Sequence, residues 1–186
     1  MDIQLESNDP LTIDIVESGV VSWEDLIRCV KTFHYGRNSN RSDLKTVWYE
    51  RKGSCSSKHA FLKHMADLND IKNVDLILCM YKMTAINTEK VAPVLNEFTL
   101  DYLPEAHCYI RFGNEALDVT TMTSKFSSIE ADVLEEQVIR SEQVVDFKVS
   151  YHQDFLRKWG KENHPEISFD ELWTIREKCI EALSLG

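Results

Sequence analysis

The stretch that most constrains the fold is Glu105-Ala-His-Cys-Tyr-Ile-Arg-Phe-Gly-Asn-Glu-Ala-Leu-Asp-Val-Thr120. Two runs of strand-forming residues flank Gly113-Asn114, and glycine stands first of the pair, where a type II′ hairpin turn takes it. Counting outward from that turn sets Phe112 opposite Glu115, Ile110 opposite Leu117, Tyr109 opposite Asp118, Cys108 opposite Val119 and His107 opposite Thr120. Paired residues share a face, and the face alternates along each strand. His107 and Asp118 are therefore expected as diagonal neighbours on one face, roughly 7 Å apart at the backbone. Cys108, Ile110, Phe112, Leu117 and Val119 make the opposite, apolar face. An imidazole beside a carboxylate gains a fixed tautomer and a stabilised charged form.

A second stretch, Gly53-Ser-Cys-Ser-Ser-Lys-His-Ala-Phe-Leu62 and on to Leu68, predicts a helix with a cysteine at its start. Gly53 is expected to give a free turn, and Ser54 to cap the first turn of the helix. Phe61, Met65 and Leu68, with Leu62 and Ala66, form an apolar stripe at helical spacing. Cys55 then falls at the first helical position. The positive end of the helix dipole favours thiolate there, and thiolate is the nucleophile.

Gly-x-Cys opening a helix, His-x-aromatic on one strand and Leu-Asp-x-Thr on the next resemble the transglutaminase-like superfamily, among the papain-like cysteine enzymes. His34-Tyr35-Gly36 and Glu50-Arg51-Lys52-Gly53 look like the lead-in of its bacterial members. The resemblance covers about Thr32 to Thr120. It implies Cys55 as nucleophile, His107 as general base and Asp118 as orienting carboxylate. Two positions depart from the pattern: Tyr109 stands where tryptophan is frequent, and Val119 where proline is frequent.

These residues predict cysteine-dependent acyl transfer on an amide or ester bond through a thioester. Hydrolysis, as in a protease or amidase, is the expected outcome, on a peptide, protein or small amide substrate. Transfer to an amine, or a non-catalytic binding module on the same fold, are the alternatives. The backbone N–H of Cys55 is one expected oxyanion donor. Tyr35, Trp48 and Tyr49, with Asn38 and Asn40, are candidates for the second. His59 and Tyr109 are further candidates for the border of the cleft. Cys55 and His59 share a helix face and could ligate a metal, with His107 or Asp118 completing the site in space, but no nearby Cys/His pair at zinc spacing offers the missing ligands. No metal, calcium included, and no other cofactor is expected.

A net charge of −10 without a Lys/Arg cluster argues against nucleic acid or an anionic membrane as partner. No apolar run reaches the ~20 residues a bilayer span needs, and the acidic N-terminus lacks signal-peptide character. A cytoplasmic location is expected. The five cysteines form no Cys-x-x-Cys pair, and Cys29, Cys79, Cys108 and Cys179 read as reduced core residues.

The expected architecture is α+β: the Cys55 helix packed on a small antiparallel sheet, with extra N- and C-terminal helices. One domain of 186 residues is expected, with its core at about 22–120 and a helical extension over about 126–186. Residues 1–21 read as a strand or extended arm, from the alternation of Leu11, Ile13 and Ile15. Ser22 opens a helix to about Phe33 that buries Leu26, Ile27 and Val30, with Trp23 expected in the core and the lining of a cleft as its alternative. His34–Asp43 is a polar loop, Leu44–Arg51 a short helix and Val74–Met83 a central strand. Thr88 is a candidate cap for a short helix through Asn96, which Pro93 kinks or starts late. Phe126–Phe147 reads as helix or irregular arm, Val149 to about Gly160 as helix and Asn163-His164-Pro165 as a break. Ser168 opens a last helix with Phe169, Leu172, Trp173, Arg176, Ile180 and Leu183 on one stripe.

Overall fold

The computed structural model describes residues 3–184, and the fold is α+β, as expected. In chain order the helices are α1 (Pro10–Glu17), α2 (Trp23–Thr32), α3 (Lys45–Glu50), α4 (Cys55–Leu68), α5 (Ala92–Glu97), α6 (Asp146–Asn163) and α7 (Phe169–Ser184). The strands are β1 (His34–Tyr35), β2 (Lys52–Gly53), β3 (Val74–Thr84), β4 (Tyr102–Phe112), β5 (Glu115–Leu117) and β6 (Val133–Ile139). β1 and β2 pair in parallel, His34 with Lys52 and Tyr35 with Gly53. The other four strands form an antiparallel sheet in the order β5-β4-β3-β6. β3 lies inside that sheet and its apolar run is almost wholly buried, as expected for a central strand.

The backbone divides into two compact units. The first comprises Met1–Leu78, Cys108–Phe126 and Gln137–Val145. Its interior includes Trp23, Leu26 and Val30 of α2, Val47 and Trp48 of α3, Phe61, Leu62, Met65 and Ala66 of α4, and Leu76–Leu78 of β3. The second comprises Cys79–His107, Ser127–Glu136 and Asp146–Gly186. Its interior includes Cys79, Met80 and Met83 of β3, Leu103 and Ala106 of β4, Leu156 of α6, and Leu172, Ile175 and Cys179 of α7.

Four local expectations are corrected. The N-terminal stretch is not a strand: Pro10–Glu17 is helical, while Met1 and Asp2 lie outside the described residues. Asp9 caps that helix, its Oδ1 accepting from Leu11 N at 2.9 Å, and Pro10 sits where its missing N–H costs nothing. Leu11 and Ile15 are one helical turn apart and buried, whereas Ile13 is 42% exposed. Within Phe126–Phe147, residues Val133–Ile139 form edge strand β6, flanked by short 3₁₀ turns. Glu135 and Glu136 on that strand are exposed, and charge on an edge discourages further strand pairing. Thr88 makes no side-chain cap, and α5 starts late, with Pro93 in its first turn. On α7 the buried stripe is Leu172, Ile175 and Cys179; Trp173, Arg176 and Ile180 are half-buried, so the inward face is turned from the expected one.

Candidate active site

Gly53 and Ser54 set the start of α4. The expected free turn at Gly53 is replaced by β2 and a close approach. A Cβ on Gly53 would stand 2.7 Å from Lys58 Cγ and 2.9 Å from Ser57 Oγ, nearer than side chains tolerate. Gly36 N donates to Gly53 O at 3.2 Å and His34 N to Arg51 O at 3.0 Å, so β1 holds the segment ahead of the helix. Gly53→Ala is accordingly expected to destabilise by about 1–3 kcal/mol. A denaturant titration checks this, and an unchanged midpoint would refute the packing argument.

Ser54 then caps α4 as expected, in a capping box with Ser57. Ser57 N donates to Ser54 Oγ at 3.4 Å, and Ser54 N to Ser57 Oγ at 2.9 Å. Cys55 is the first residue of the 14-residue helix and is half-buried, with Sγ 3.7 Å from Ser56 Oγ. Cys79, Cys108 and Cys179 are buried. Cys29 is half-buried as well, but burial pushes its thiol up, against the pull of the Arg51 guanidinium. Cys179 is pushed up to about 11 by burial and by the Glu105 carboxylate.

The hairpin turn has its expected form, with φ 59° at Gly113 and no positive φ at Asn114. Its register also agrees: Phe112–Glu115, Arg111–Ala116 and Ile110–Leu117. The ladder stops there, because β5 ends at Leu117. The expected strand pairs of Asp118, Val119 and Thr120 are therefore not part of it. Two of their amides go elsewhere: Val119 N donates to His59 Nε2 at 2.8 Å, and Thr120 N returns to Asp118 Oδ1 at 2.9 Å.

The first unit brings Cys55, His59 and Asp118 together. His59 is fully buried. Its Nε2 accepts from Val119 N and lies 3.6 Å from Asp118 Oδ1. Its Nδ1 is 2.6 Å from Cys55 O, which can only accept, so Nδ1 carries the proton. With Nε2 occupied in this way, the ring has no lone pair left for a metal. Asp118 is nearly buried, its side chain 7% exposed. Beside it, Lys58 is fully buried and donates to Phe33 O at 2.6 Å and Thr120 O at 2.9 Å. Burial pushes the Lys58 ammonium down to about 8, against the Asp118 carboxylate, which favours its charge.

His107 lies on β4 in the second unit, half-buried, with its ring edge-on to Tyr81 at 6.2 Å between centroids. The remaining candidates are spread through the first unit. Tyr35 is half-buried in β1. Trp48 is buried, packed at 5.9 Å from Phe33, with the Arg51 guanidinium 3.6 Å above its ring. Tyr49 is 61% exposed and donates to Asp14 Oδ2 at 2.7 Å. Tyr109 is buried, stacked on Phe126 at 4.0 Å, and its hydroxyl accepts from Arg111 Nη2 at 2.7 Å. Asn38 is buried and donates to Lys52 O at 2.8 Å.

Sequence reasoning missed two groups. Lys58 continues the inward positions of Phe61, Leu62 and Met65 back by one turn, and a lysine inside an apolar stripe was the available signal. In the second unit, Glu105 is buried with Arg176, which donates through Nε at 2.8 Å and Nη2 at 2.7 Å to its two oxygens. His152 Nε2 donates to Pro104 O at 3.0 Å and lies 3.8 Å from Glu105 Oε2. Among the described residues no helix is long and apolar enough to cross a membrane. Compared with family models, with curated proteins and with solved structures, the chain gives no match.

Proposed function

We propose that this chain hydrolyses an amide or ester bond of a peptide, protein or small amide through a Cys55 thioester. His107 serves as general base and Asp118 as the carboxylate that orients it. The observation that carries this reading is the placing of Cys55: half-buried, at the first position of a capped helix. A helix start favours thiolate and presents backbone N–H groups to a developing oxyanion.

In the reaction, His107 takes the Cys55 thiol proton. The thiolate attacks the carbonyl carbon and a C–S bond forms. As the tetrahedral intermediate collapses, the C–N or C–O bond breaks and His107 gives its proton to the leaving amine or alkoxide. A water molecule, deprotonated by His107, then attacks the thioester carbonyl. The second tetrahedral intermediate collapses, its C–S bond breaks, the carboxylic acid product leaves, and the Cys55 thiolate takes the proton back from His107.

Iodoacetamide at pH near 6, followed by peptide mass spectrometry, tests the nucleophile. Cys55 is expected to label about tenfold or more faster than Cys29, the other half-buried thiol. His107→Ala is expected to slow that labelling. Equal rates at both thiols would overturn the reading.

A further inference from the structure

Two consecutive residues of α4 grip the segment that carries Asp118. Lys58 Nζ donates to Thr120 O at 2.9 Å and to Phe33 O at 2.6 Å, joining that segment to the end of α2. His59 Nε2 accepts from Val119 N at 2.8 Å, and its other nitrogen meets Cys55 O at 2.6 Å. Asp118 Oδ1 is fixed in turn by Thr120 N at 2.9 Å. Every one of these groups belongs to the first unit.

The donors and acceptors permit one arrangement. Val119 N–H can only donate, and Cys55 O can only accept. The imidazole that satisfies both is the neutral Nδ1–H tautomer, spanning the first turn of α4 and the residue after Asp118. Protonation at Nε2 would set two donors against each other across 2.8 Å. Lys58 and His59 are both wholly buried, so loss of either leaves polar backbone groups away from water.

We infer that Lys58 and His59 are positioning residues, a clamp by which α4 sets the Asp118 carboxylate relative to the start of the helix that bears Cys55. The clamp stands on the hydrogen bonds alone; its catalytic consequence rests on the reading of Cys55 as nucleophile.

The test uses the whole chain of 186 residues, labelled with ¹⁵N. In the wild type, the His59 ring is expected to show a protonated Nδ1 and a bare Nε2; the opposite tautomer would overturn the clamp. The two amide isosteres then separate the ends of the ring. His59→Gln can place an acceptor near the Nε2 position, whereas His59→Asn can reach Cys55 O but not Val119. Hydrogen exchange at the Val119 amide should accelerate about tenfold in His59→Asn and stay near wild type in His59→Gln. Lys58→Met should raise exchange at Thr120; if it does not fold, the His59 pair decides.

Unchanged exchange in His59→Asn would overturn the clamp. The pH midpoint for Cys55 alkylation should shift in His59→Asn and recover in His59→Gln. A midpoint identical in both, with only the melting temperature lowered, would make the contacts merely structural and overturn the positioning role. A wild-type Cys55 that alkylates like Cys29 would remove the enzyme reading, and the ring nitrogens and amide exchange would still decide the clamp.

Discussion

Replacing Cys55 with alanine is expected to abolish turnover of aryl esters and peptide anilides, a loss of about 10³-fold or more in kcat/KM. The melting temperature should hardly move, because the substitution removes a single sulfur atom from a half-buried position. His107→Ala should cost about 10²–10⁴-fold, the range for a general base. Groups that work as a unit give non-additive losses. The double variant Cys55→Ala/His107→Ala should therefore be no slower than Cys55→Ala alone. Steady-state kinetics decides the point, together with intact-mass detection of an acyl adduct on the wild type. Turnover surviving in Cys55→Ala would end the proposal. Losses that multiply in the double variant would mean that the two side chains do not act together.

Arg176→Met is expected to destabilise the chain by about 3–5 kcal/mol, because it leaves the Glu105 carboxylate buried without its cation. For a chain of this length that corresponds to a fall in melting temperature of roughly 10 °C. Replacing both partners with leucine should be far milder, since no lone charge then stays inside. The pair also governs acid stability. Burial alone would push the Glu105 carboxyl up. The Arg176 guanidinium and then the His152 ring outweigh it, and hold Glu105 down at about 2. A carboxyl held below its unfolded value of about 4.3 gives stability that is whole above that pH and is lost as pH falls towards 2. His152 acts in the same direction. Burial, countered by Glu105, keeps its ring less basic than usual, so protonation of the unfolded chain favours unfolding below about pH 6.5. The gap in melting temperature between wild type and Arg176→Met should therefore narrow from pH 6 to pH 3. A gap that stays constant with pH would mean that the pair's charge contributes nothing.

Where local chemistry was decisive, the sequence sufficed. Ser54 ahead of an apolar stripe places the start of α4 at Cys55, and the structure begins the helix there. Gly113-Asn114 sets the hairpin register without help from the rest of the chain, because a two-residue turn leaves no freedom in the pairing. The apolar run of β3 announces a strand buried on both faces. Where two periods fit the same residues, sequence reading erred. Leu11, Ile13 and Ile15 satisfy an alternating strand, while Leu11 and Ile15 also satisfy one helical turn. The Asp9-Pro10 start resolves the ambiguity in favour of helix.

What the sequence determined by itself was the local frame: a thiol at a helix start, a hairpin with an imidazole on its first strand, and an acid just beyond its second. Only tertiary structure decided where the ladder ends and which groups hold the acid. Val119 N–H pairs with an imidazole 60 residues away and Thr120 O with an ammonium 62 residues away, and Glu105 finds its guanidinium 71 residues along the chain. Neither turn chemistry nor periodicity encodes such partners. They follow from the demand that every buried polar group be satisfied, and that demand takes shape only when distant segments have been brought together.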